Sequence, residues 1–169
     1  MLTQIHASKY MQHPELAIKN CARQLSEKHL TICFAESATA GGLAYAFSQT
    51  AYAGDVLKGG LICYDACLKE DILSVPADLI DKFTPESPEV TREMAVRLVN
   101  VIQADLSVAV TGLTKPGGSE TAEKPVGTMF FAIFYQGTVY ERRTFSAGSP
   151  EQIVQHTIEA VARAISQVV

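Results

Sequence analysis

The segment Leu106-Ser107-Val108-Ala109-Val110-Thr111 constrains the fold more than any other in the chain. It carries no charge and no polar alternation, so neither of its faces suits water. Such a strand belongs in the interior of a sheet covered on both sides. It runs into a Gly- and Pro-containing loop from Gly112 to Gly127, which makes it one of three places where a strand ends in a loop or helix. The first is Leu30 to Ala35, a short apolar run after which Glu36, Ala44, Phe47 and Thr50 change to helical spacing. The second is Val56 to Tyr64, broken by Gly59-Gly60 and followed by a short helical pattern over Leu68 to Leu73.

Helices fill the spaces between. Pro14 occupies a first helical position, and Leu16, Ile18, Cys21, Ala22 and Leu25 recur at helical spacing up to Lys28. Pro76 to Phe83 reads as a loop with a short helix, and Ser87-Pro88-Glu89 as a cap leading into a helix through Met94, Leu98 and Ile102. Thr128 to Tyr135 and Thr138 to Phe145 flank Gln136-Gly137, the signature of a two-residue hairpin. Ser149-Pro150-Glu151-Gln152 is a capping box that opens a last helix through Ile153, Val161 and Ile165. Strands alternating with helices, plus one antiparallel pair, predict a single α/β domain over residues 1–169. Its architecture is a three-layer α/β/α sandwich with a mixed sheet, and residues 1–13 form a loosely ordered extension. If the three strands run parallel, their carboxyl ends gather the functional residues on one edge.

Composition narrows the function. A chain of 169 residues, 47% hydrophobic and 19% charged, can bury roughly two-thirds of its unfolded surface and is expected to fold throughout. A net charge of −4 with interspersed signs gives nucleic acid little to bind. No run of about 18 apolar residues is present, so no membrane partner is expected and the protein is read as cytoplasmic. The cysteines Cys21, Cys33, Cys63 and Cys67 are too few for a disulfide scaffold. Cys63 and Cys67 lack nearby ligands to complete a metal site, and neither metal nor cofactor is expected. The four histidines lie outside every motif, which disfavours a Ser-His-Asp arrangement.

What chemistry remains lies at the junctions. In Glu36-Ser37-Ala38-Thr39-Ala40-Gly41-Gly42, Ser37 is expected at a helix start, where free N–H groups could hold an oxyanion. The residues also allow a plain cap by Ser37 or Thr39, with Gly41 and Gly42 permitting close packing. Tyr64 and Lys69 suit a serine nucleophile without histidine, because a buried lysine with a lowered pKa is a competent base. They equally fit a strand-closing tyrosine and a solvated lysine. Thr111-Gly112-Leu113-Thr114-Lys115-Pro116-Gly117-Gly118 offers backbone N–H groups and a lysine to an anion, though not in P-loop order.

Taken in order, these segments resemble the CinA C-terminal family, the nicotinamide-nucleotide amidases. The likeness rests on Ala-Glu-Ser-x-Thr-x-Gly-Gly at 35–42, Tyr64 with Lys69, Ser87 with Arg92-Glu93-Met94-Ala95, Thr111-Gly112 with Pro116-Gly117-Gly118, and Lys124-Pro125-Val126-Gly127-Thr128. It extends from about residue 14 to the end of the chain. The resemblance implies a metal-independent hydrolase of the competence/damage-inducible protein family that converts nicotinamide mononucleotide to nicotinate mononucleotide and ammonia in pyridine-nucleotide recycling. Ser37 would be its nucleophile, Lys69 the base, Tyr64 a positioning or relaying hydroxyl and Thr111 a contact to the nicotinamide side. Glu36, Thr39, Gly41, Gly42, Gly112, Lys115, Gly117 and Gly118 would line the nucleotide site. The family also implies a homo-oligomer, dimer or trimer. The chain departs from the family pattern at Asp65-Ala66 after Tyr64, and at Pro150 and Gln155, where arginines are usual. The alternatives are an amidase for another nucleotide-like substrate, or a non-catalytic nucleotide-binding or protein-interaction module.

Overall fold

A computed structural model describes residues 14–169, so the expected loose extension lies outside the described residues. The chain runs α1 (Pro14–Glu27), β1 (Ile32–Glu36), α2 (Gly42–Ser48), α3 (Ala53–Val56), β2 (Leu57–Ile62), α4 (Ala66–Asp71) and α5 (Ala77–Phe83). It continues through α6 (Pro88–Leu98), β3 (Leu106–Gly112), β4 (Thr128–Tyr135), β5 (Thr138–Phe145) and α7 (Pro150–Val168). The strands form one mixed sheet in the order β2-β1-β3-β4-β5. β1 is parallel to both β2 and β3, and the hairpin adds β4 antiparallel to β3 and β5 antiparallel to β4. The expected two-residue turn holds: Tyr135 pairs with Thr138 across Gln136-Gly137, both of which have positive φ.

The apolar run in β3 is the spine of this sheet. Successive side chains on a strand point to opposite faces, and in β3 both sets are buried. Val108 and Val110 join Ile32, Phe34, Phe131 and Ile133 in a core closed by α1, α2 and α7. Ala109 joins Cys33, Ala35 and Ala132 beneath Val90, Met94 and Leu98 of α6 and Ile80 of α5. Small residues on the second face let α6 lie close, and Ser107 anchors it by donating to the Ala95 carbonyl at 2.5 Å. The caps form as the sequence predicts. Ser87 Oγ accepts from the Val90 amide, and Ser149 with Gln152 completes the capping box of α7.

Three elements differ from expectation. The second strand is shorter than Val56 to Tyr64, because one turn of helix, α3, ends at Val56. Helix α6 stops at Leu98 rather than reaching Ile102. The largest difference is at the first junction, where helix does not begin at Glu36. Glu36 is the last residue of β1, a turn occupies 37–41, and α2 starts only at Gly42. The cause is a side chain. The buried Glu36 carboxylate reaches forward to accept from the amides of Gly41 (3.1 Å), Leu43 (3.0 Å) and Ala44 (2.8 Å). A carboxylate there satisfies the orphan donors of the first turn and complements the positive end of the helix. Neither Ser37 nor Thr39 caps the helix.

Candidate active site

Because β1, β2 and β3 are parallel, their carboxyl ends share one edge of the sheet, and the turn after each comes from a different part of the sequence. The turn after β1 presents Ser37, which is held by its amide donating to the Val110 carbonyl of β3 at 3.0 Å. The segment after β2 presents Tyr64 and then Lys69 on α4, whose start is capped by the Asp65 side chain. The end of β3 supplies Gly112, and the loop after it Lys115, Gly117 and Gly118. A cavity of about 360 Å³ lies between these segments, lined by Ser37, Ala38, Tyr64, Glu86 and residues 112–118.

Lys69 lies beneath this cavity, only 1% exposed although the sequence also fits a solvated residue. Its Nζ lies 3.3 Å from Ser37 Oγ and donates to the Cys63 carbonyl at 2.9 Å. Burial holds the amine below the ordinary lysine value, against an opposing pull from Glu86 first and then Cys63, Asp65 and Cys67. A buried lysine loses charge readily because desolvation penalises the ammonium form. Once neutral, it keeps an N–H on the Cys63 carbonyl and turns its lone pair to the Ser37 hydroxyl. The same burial raises the Cys63 thiol, with Lys69 pulling the other way.

The other expected residues divide. Tyr64 is 58% exposed at the cavity wall, and among the described residues its hydroxyl bonds neither Ser37 nor Lys69. Glu36, Thr39, Gly41, Gly42 and Thr111 do not line the cavity. Glu36 caps α2 as described. Gly41 has φ +94°, and a Cβ there would meet Ile62 Cδ1 at 3.1 Å, so it turns the chain and lets β2 approach. Gly42 likewise leaves room for Ile158. Thr39 is buried with an unpartnered hydroxyl. Thr111 is fully buried on the α6 side of the sheet. Since Thr91 Oγ1 donates to the Ser87 carbonyl at 2.6 Å, the 2.8 Å contact between the two hydroxyls has Thr111 as donor.

Two residues outside the expected set organise the rim. Lys124 Nζ donates to Thr84 Oγ1 (2.8 Å), the Glu86 carbonyl (2.8 Å) and Ser119 Oγ (2.7 Å), tying the loop after β3 to the segment before α6. Ser119 Oγ in turn donates to Glu86 Oε2 at 2.6 Å. Glu86 thus brings a carboxylate to the cavity that contains Ser37. Nothing in the sequence distinguishes it from a solvated acid ahead of a helix cap. A second cavity of about 510 Å³ shares Glu86 but is not lined by Ser37.

The family model described as the CinA C-terminal domain matches residues 15–169. The chain belongs to the CinA family. It is 41% identical over 113 residues to a CinA-like protein of Prochlorococcus marinus, covering 67% of this chain and 26% of the relative. It is 35% identical over 138 residues to a putative competence-damage inducible protein of Clostridium beijerinckii, covering 81% and 33%. This CinA-family chain therefore spans about a quarter to a third of the curated relatives it matches. Among solved structures, a CinA superfamily protein from Escherichia coli superposes with TM-score 0.87 at 25% identity, covering 100% of this chain and 96% of that one. The competence/damage inducible protein CihA from Agrobacterium tumefaciens gives 0.85 at 26% identity, covering 91% and 94%. These likenesses agree with the mixed α/β sheet described above. Among the described residues no helix is long and apolar enough to cross a membrane.

Proposed function

We propose that this protein is an amidohydrolase that converts nicotinamide mononucleotide to nicotinate mononucleotide and ammonia, with Ser37 as nucleophile and Lys69 as its base. The observation that carries the reading is the buried Ser37–Lys69 contact of 3.3 Å at the floor of a nucleotide-sized cavity. A buried lysine of lowered pKa beside a serine hydroxyl is a competent base for it.

In the first half-reaction Ser37 Oγ attacks the carboxamide carbon as Lys69 takes the hydroxyl proton. The oxyanion needs donors. Six of the eight amides from Ser37 to Ala44 are already engaged, those of Gly41, Leu43 and Ala44 by Glu36. The amides of Ala38 and Thr39 remain, directly after the nucleophile, and serve as the oxyanion donors. Lys69 then passes its proton to the leaving nitrogen, ammonia departs and an acyl ester on Ser37 remains. Water adds to the ester with Lys69 again accepting a proton, and returning that proton to Ser37 Oγ releases the nicotinate product. Tyr64, at the wall, positions the carboxamide or relays a proton, and Lys115 receives the phosphate end, since the Gly117 amide already donates to Glu120 Oε1 at 2.7 Å. The steps use protein groups and water alone.

The test is to incubate the protein with nicotinamide mononucleotide in the presence of a chelator and to measure ammonia and nicotinate mononucleotide together. Equimolar formation of both supports the reading. Absence of both at enzyme-level protein concentrations removes this substrate.

A further inference from the structure

The cavity over Ser37 has an uneven charge lining. Of its eleven lining residues two are charged, Glu86 and Lys115. Lys115 is exposed on the loop after β3, and Glu86 comes from the segment before α6. Glu86 is not held by a cation: among the described residues it is in no ion pair, and the nearby Lys124 ammonium bonds its backbone carbonyl rather than its carboxylate. One carboxylate oxygen is fixed by the Ser119 hydroxyl at 2.6 Å, so the side chain is oriented, and Lys124 and Lys69 act on its charge through space without direct contact. Its field reaches the reaction centre, since Glu86 is the largest influence opposing the desolvation of Lys69. An oriented carboxylate without a direct ion-pair partner in a cleft favours a cation there more than it would in bulk water.

We infer that Glu86 is a specificity-determining residue that selects a cationic, N-substituted nitrogen heterocycle over its neutral counterpart, while Lys115 faces the anionic end of the same ligand. The inference rests on the amidase reading for the identity of the ligand and adds to it the group that recognises the ring's charge. Glutamate is the right probe position, because Glu86→Gln retains an oxygen to accept from Ser119 and leaves the backbone carbonyl to Lys124. Only the charge is removed.

The experiment is calorimetric binding to the full chain carrying Ser37→Ala, which holds ligand without turnover. The ligands are nicotinamide mononucleotide and its 1,4-dihydro form, which share carboxamide, ribose and phosphate but differ in ring charge. The Ser37→Ala protein should bind the cationic form roughly tenfold or more tightly, the range of one charge-assisted contact. Adding Glu86→Gln should bring the two affinities within about threefold by weakening the cationic form. Adding Glu123→Gln instead, an acid of the neighbouring cavity, should leave the preference intact. A preference unchanged by Glu86→Gln overturns the inference alone. Equal weakening of both ligands also overturns it, because Glu86 would then be holding sugar hydroxyls. An equal effect of Glu123→Gln overturns it in favour of a general field. Failure of both ligands to bind any of the proteins removes the nucleotide reading and the inference with it.

Discussion

Glu36 offers the sharpest structural prediction, because its carboxylate does work that the sequence conceals. Three backbone donors converge on it at 2.8–3.1 Å in a site where the residue is 1% exposed. Oε2 serves Gly41 and Leu43, and Oε1 serves Ala44. In Glu36→Gln the amide oxygen can keep the first pair, but its NH2 then faces the Ala44 donor. One hydrogen bond is lost and two lose their charge assistance, for a cost of about 2–3 kcal/mol. Glu36→Ala strands all three donors and should cost about 3–5 kcal/mol, a large share of the 5–15 kcal/mol that holds a typical domain together. Urea denaturation reads this directly. With a slope of about 2 kcal/mol/M, Glu36→Gln should lower the midpoint by about 1 M at unchanged slope. A midpoint within about 0.3 M of the parent for both variants would refute the claim that this carboxylate sets the start of α2.

Two further predictions follow from burial and backbone geometry. Lys69 has a folded pKa below its unfolded value, so between those two values the unfolded chain binds more protons and stability rises with pH. Lys69→Met should flatten that rise in pH-dependent urea melts, and in the parent the activity should climb with pH through the lowered Lys69 pKa as the neutral base forms. Flat activity from neutral to alkaline pH would count against Lys69 as base. At Gly127, φ is +99° and a Cβ would sit 2.2 Å from the Ser146 carbonyl oxygen. Gly127→Ala should therefore cost more than about 2 kcal/mol by thermal or urea melting, and a near-neutral effect would show that the β4 entry is not tightly constrained.

Much of the fold was legible because its signals are local. The unbroken apolar run in β3, the Gln136-Gly137 turn and the serine caps at 87 and 149 each state their geometry within a few residues, and each forms as expected. The convergence of Ser37, Tyr64, Lys69 and residues 112–118 was legible once the strands were taken as parallel. What the sequence hid depends on reach. A glutamate five to eight residues ahead of the donors it satisfies is invisible to capping rules, which look for a short polar side chain at the cap itself. For the same reason the turn at 37–41 read as helix. Thr111 shares a motif with the cavity glycines, yet strand alternation turns its side chain to the face covered by α6. Lys69 and Glu86 are the reverse case: the sequence fits a solvated lysine as well as a buried base at 69 and singles out nothing at 86, and only the tertiary fold buries one and brings the other to a cleft.

The central claim is that Ser37 and Lys69 act as one chemical unit, and a double-mutant cycle in ammonia release from nicotinamide mononucleotide tests it most directly. Ser37→Ala and Lys69→Ala should each lower kcat by roughly a thousandfold or more, and the double variant should be no worse than the poorer single one, as for residues that share one step. Losses that multiply in the double variant, or a Ser37→Ala protein within about tenfold of the parent, would contradict it.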